Sequence, residues 1–146
     1  MADFRAITAV CEGIIYLLRS NYEPADFEQE LEFAVYAARD FDNPMEAGVS
    51  LFLYRVYLNG AHRAPAGRLT TEGQRQLPRL PLDLHVLLTA WGRDASLQHA
   101  ISGWLMRTLA DTPILPAGLL NTRFEQVFAP AESVELSLAE LPTEDL

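Results

Sequence analysis

Two polar residues inside an apolar run raise the first chemical question. In "LPRLPLDLHVLLTAWG", Leu77 to Gly92, Asp83 and His85 stand two apart. On a strand that spacing puts both side chains on one face, where they would serve as an acid–base pair or as two ligands of a metal ion. A zinc site needs three or four ligands, and no third is spaced to join them. The other histidines, His62 and His99, form no H-x-x-x-H or H-E-x-x-H pattern. Motifs for nucleophiles and phosphates are missing too: there is no G-x-S-x-G, no G-x-x-x-x-G-K-[ST], and no G-x-G-x-x-G after a strand. All eleven basic residues are arginine, which leaves no lysine for a Schiff base or a phosphate loop. The single Cys11 reads as a buried core thiol. The expectation is a protein that is not an enzyme and needs no metal or cofactor. A small metal-dependent hydrolase using Asp83 and His85 is the alternative.

Composition points the same way. A chain of 146 residues is one domain's worth, and an apolar fraction of 49% with a mean hydropathy of +0.03 is that of a globular protein. The longest apolar stretches fall short of the ~20 residues of a membrane span, so no membrane insertion is expected. Asp3 and Arg5 interrupt what a secretion signal would need, and the expected compartment is the cytoplasm. A net charge of -9 repels phosphate backbones, which excludes nucleic acid as the expected partner. The charge is unevenly spread. A stretch without periodicity, about residues 60–79, carries Arg63, Arg68, Arg75 and Arg79 against Glu72. After Arg123 there is no base, while Glu125, Glu132, Glu135, Glu140, Glu144 and Asp145 are acidic. A single domain, 1–146, with a long basic loop and an acidic tail over about 129–146 is therefore expected.

The elements that must hold these residues follow from periodicity. Ile7, Val10, Cys11, Ile14, Leu17 and Leu18 share one face of a helix over 4–19, with Pro24 blocking its continuation. Glu30 to Ala38 fits either period and is assigned to a strand, followed by a turn at "DFDNPMEAG". "GVSLFLYRVYLNG" is a strand with two apolar faces, expected to be central and covered on both sides. Leu80 to Ala90 alternates as a strand, with Pro81 confined to its start or to an edge. Asp94 or Ser96 caps a second helix whose buried stripe is Leu97, Ile101, Trp104, Leu105 and Thr108, ended by Asp111-Thr112-Pro113. Gly13 and Gly103 sit in mid-helix, where close backbone packing would offset their cost. A proline-interrupted connection leads to a short strand near Val134 to Leu138.

Four strings, "RAITAVCEGIIYLL", "DFDNPMEAGVSLFLYRVYLN", "LPLDLHVLLTAWG" and "GWLMRTLADTPILPAGLLN", in this order, closely resemble a bacterial family. It forms the N-terminal part of cap, or tail-terminator, proteins of contractile injection systems of the antifeeding-prophage and virulence-cassette type. The likeness covers roughly residues 4–138. It implies an α+β fold, a small mixed, mainly antiparallel sheet with two amphipathic helices packed on one face. It also implies a ring-forming structural protein, generally a homohexamer, that stops tube polymerisation and anchors the sheath. The family's pattern continues past "LSLAEL" through a Trp-bearing helix and a final strand that are not in this sequence.

A ring requires a surface that meets a different surface of the next copy, and a basic arm with an acidic tail would supply one. The expected contact residues are Arg63, Arg68, Arg75 and Arg79 on the arm, Arg55 within its strand, and Glu132, Glu135 and Glu140 on the tail. Tyr54 and Trp91 are aromatic anchors; Asp83 and His85 are contact residues on a covered strand. The expected partners are further copies and the tube and sheath proteins. A transient assembly chaperone or adaptor is the third possibility.

Overall fold

The computed structural model describes residues 3–59 and 81–139. Their elements are α1 (Ala6–Ser20), β1 (Glu32–Val35), β2 (Gly48–Leu58), β3 (Leu82–Trp91), α2 (Ala95–Ala110), β4 (Ile114–Pro116), α3 (Ala117–Leu120) and β5 (Ser133–Glu135), with 3-10 turns at Pro24–Asp26 and Ala38–Asp42. This is the small α+β fold expected. β1, β2 and β3 form one sheet in that order, and β4 and β5 a second. The chain forms two compact units, Met1–Phe52 with Leu87–Leu146, and Leu53–Val86.

In the larger unit, α1 buries most of its circumference. The predicted positions Val10, Cys11, Ile14, Leu17 and Leu18 are buried, and so are Ala9, Gly13 and Ile15. The breadth follows from having neighbours on two sides. Arg19 donates to the Phe33 carbonyl of β1 at 3.0 Å, while Gly13 touches the Leu119 carbonyl and Leu120 of α3, where an added Cβ would lie at 3.5 Å. Side chains bond the backbone at both flanks of the helix. The Asp3 carboxylate accepts from the Arg5 backbone N–H at 2.8 Å, and the Asn21 amide donates to the Leu17 carbonyl at 2.8 Å. The second mid-helix glycine, Gly103, is exposed, and a methyl group added there would have nothing within 4 Å. The close packing expected of it is absent.

β1 is shorter than the expected Glu30–Ala38 strand, and local hydrogen bonding explains why. The Tyr36 N–H still bonds the Leu51 carbonyl at 2.8 Å, but the Ala37 N–H donates to the Asp40 carboxylate at 2.7 Å. That side-chain bond closes a 3-10 turn where a strand would have continued. β1 runs parallel to β2 in the register Glu32↔Gly48 to Val35↔Leu51. The pairing depends on Gly48, whose φ is +146° and whose Cβ, if present, would collide with the Glu32 backbone. Val49 and Leu51 are fully buried.

α2 starts at Asp94, whose carboxylate accepts from the Leu97 N–H at 2.9 Å, and it stops before Asp111-Thr112-Pro113 as expected. Ile101, Leu105 and Leu109 are its buried residues; Leu97, Trp104 and Thr108 are half-buried. Trp104 stands edge-on to Phe27 at 5.8 Å and tilted to Phe33 at 5.9 Å. Tyr22 meets the same two phenylalanines. Phe33 is thus where both helices reach β1.

β4 and α3 were not expected. The three strand residues Ile114–Pro116 are too few to show a period. Leu115 and Leu120 are fully buried all the same. Asn121 then pins the next loop by donating to the Phe128 carbonyl at 3.0 Å and accepting from the Phe128 N–H at 2.9 Å. This seats Val127 and Phe128 in the core, and β5 pairs antiparallel with β4.

Candidate assembly surface

β2 ends in the smaller unit, and there its character changes. The strand was expected to be covered on both faces. It is buried from Gly48 to Leu51, half-buried at Phe52 and Leu53, and exposed from Tyr54 to Leu58. Exposure reaches 43% at Val56, 45% at Tyr57 and 61% at Leu58, with 38% at Leu82 of β3. The described residues therefore do not cover β2 fully.

Among the described residues of the smaller unit, ring contacts and hydrogen bonds hold the side chains. His85, half-buried, stands edge-on to Tyr54 at 6.1 Å and to Tyr57 at 5.1 Å. Tyr54 and Tyr57 are three apart, and strict alternation would place them on opposite faces. That both meet His85 means that the alternation slips between them, as it does at a bulge or a strong local twist. Arg55 donates to the Tyr57 hydroxyl at 3.0 Å, and its guanidinium lies 5.8 Å from the Tyr54 ring centre. Asp83, exposed, accepts from the Asn59 side chain at 3.2 Å, and the Asn59 N–H bonds the Pro81 carbonyl at 3.0 Å. Pro81 thus stands just before β3, as expected.

Asp83 and His85 therefore have different partners, an amide for one and two phenol rings for the other. Among the described residues no group of three or more His, Cys, Asp or Glu could hold a metal ion, and no helix is long and apolar enough to cross a membrane. The remaining strand residue of interest, Trp91, belongs to the larger unit. Its indole N–H donates to the Ser50 hydroxyl at 2.8 Å, satisfying a fully buried side chain, and its ring leans on Phe41 at 6.1 Å. The sequence periodicity had placed Ser50 and Tyr54 on one strand face and His85 and Trp91 on one face of the next. The structure brings these two sets together.

On the acidic side, the Glu132 carboxylate accepts from the Ala129 N–H at 2.8 Å, and Glu135 is exposed on β5. Arg63, Arg68, Arg75, Arg79 and Glu140 lie outside the described residues, as does His62. Sequence reasoning missed Val56, Tyr57, Leu58 and Leu82 as surface residues, because an apolar strand with two apolar faces is indistinguishable from a buried one. It also missed a second cluster, in which the Arg5 and Arg123 guanidinium carbons lie 5.5 and 5.4 Å from the Phe124 ring centre. No periodicity signals contacts between residues so far apart in the chain.

The architecture is that of a small mixed-sheet domain with an aromatic, partly uncovered strand pair. A family model described as the Pvc16 N-terminal domain matches residues 9–146. The chain belongs to this family, which is of the virulence-cassette and antifeeding-prophage type that the four strings resemble. Neither a curated protein nor a solved structure matches it significantly.

Proposed function

We propose that this chain is a structural assembly protein of a phage-tail-like contractile injection particle, a ring-forming tail terminator that caps the end of tube and sheath. Family membership supports a place in a particle of the Pvc kind. The observation that carries the finer role is the exposure of Tyr54, Val56, Tyr57, Leu58 and Leu82 on adjoining strands. Exposed apolar residues clustered in this way, with tyrosines and an arginine among them, have the composition of a binding surface. In this role the protein catalyses nothing. Asp83 and His85 act as contact residues, and the partners are further copies in a ring, generally a homohexamer, with tube and sheath proteins stacked on it in the cytoplasm.

The test is a gene deletion followed by electron microscopy of purified particles. Tubes of uncontrolled length, or sheaths that detach or contract prematurely, are the expected result. Particles of unchanged length and stability would sink the proposal.

A further inference from the structure

Among the described residues strand pairing is incomplete at two places, and the two complement each other. The first is the outer edge of β2. β1 pairs with β2 only across Gly48–Leu51, and no other strand among the described residues lies on that side. Among the described residues Leu53–Leu58 therefore presents an edge as long as an ordinary strand, with Tyr54, Val56 and Leu58 exposed. Open edges of this kind are templates for pairing with another chain.

The second is the continuation of β5. The alternation Ser133, Val134, Glu135, Leu136, Ser137, Leu138 runs on past the strand's end. Pairing with β4 stops at Glu135↔Ile114, and the Leu136 N–H adds one bond to the Pro113 carbonyl at 2.8 Å. Exposure still alternates through Ser137, and Leu138 is 54% exposed. Here is a strand pattern longer than the strand it forms.

Charge distinguishes the two. From Glu125 to the chain's end there are six acids and no base, whereas 53–86 carries five arginines against Glu72 and Asp83. Arg55 lies on the open edge itself and is exposed. Pairing two β2 edges with each other would set like charges together, while an acidic strand on this edge is electrostatically matched.

We propose that the segment around Leu136–Leu138 of one copy adds as a strand to the Leu53–Leu58 edge of the next. Each copy then donates one strand and accepts one. Such head-to-tail contacts close into a ring when the rotation allows, so this inference rests on the ring-forming role and gives it an interface.

Two variants in a Cys11→Ala background test it, one with Val56→Cys and one with Ser137→Cys, mixed under assembly conditions and treated with a short bismaleimide. A covalent dimer from the mixture, and none from either variant alone, is expected. Leu138→Pro, which removes a backbone donor at an exposed position, should weaken self-association at least about tenfold with an unchanged circular dichroism spectrum. If the chain assembles but the mixture does not cross-link and Leu138→Pro assembles like the parent, this interface is wrong and the ring stands. If the parent chain stays monomeric at every concentration, with and without tube protein, both fall.

Discussion

From Gly48 to Leu51 β2 is buried, paired with β1 and packed into the core of the larger unit, whereas from Tyr54 to Leu58 the same strand is exposed. The two halves are almost equally apolar in sequence, so hydrophobicity alone does not separate them. What separates them is what lies around each: the first half belongs to the larger unit and its core, and the second half to the smaller unit. An apolar residue contributes about 25 cal/mol per Å² of surface it hides. The first half draws that stabilisation from the described fold, while in the proposed role the second half would draw it from a partner.

Substitutions in the two halves put this contrast to the test. The largest effect is expected at Gly48. Gly48→Val places a side chain against the Glu32 backbone at φ +146° and should cost more than ~4 kcal/mol, read as a loss of cooperative unfolding in urea. Next comes Leu51→Ala in the fully buried half, expected to cost about 2–5 kcal/mol by the same measurement. Smaller again is Trp91→Phe, which strands the buried Ser50 hydroxyl and should cost about 1–3 kcal/mol. Ser50→Ala in the same chain should then recover part of the loss, because the orphaned group is gone.

In the exposed half, Val56→Ala should shift monomer stability by less than ~0.5 kcal/mol yet weaken self-association in analytical ultracentrifugation. A large stability loss at Val56 would erase the distinction between the halves.

The last effect is one of pH, and near neutrality it is silent. Burial pushes the Cys11 thiol from its ordinary 9.0 up to about 11, with the nearby Glu12 carboxylate adding to the shift. The folded state thus keeps a proton that the unfolded chain releases at lower pH. This contribution is intact below about pH 9 and is lost as the pH rises from 9 to 11. Thiol labelling at pH 8 should accordingly be slow until urea unfolds the chain. Rapid labelling of the native protein would show that α1 does not shield Cys11.

Much of the fold was legible because long periodic segments average over many residues. The faces of α1, the Asp94 cap, the strands at 48–58 and 82–91 and the Pro81 boundary all stand where periodicity and cap chemistry put them. The short elements were not legible. β4 and α3 are too brief for a period, and they are stabilised by what they touch: Leu115 and Leu120 in the core, and Gly13 across from Leu119. At the candidate surface, Tyr54, Asp83 and His85 were recognisable by type, but Tyr57 emerged only from the slip that turns it toward His85. Trp91 could be named as an important aromatic, yet its bond to Ser50 joins residues on different strands.

Residue order alone carries the family, the helical and strand periods, the missing nucleophile and phosphate motifs, and the arginine-only, acid-tailed distribution of charge. These properties survive without coordinates. Where β1 ends, and which half of β2 is core and which is surface, was settled only when the chain folded. Apolar side chains of one kind line both halves, and burial is a property of neighbours brought from elsewhere in the chain.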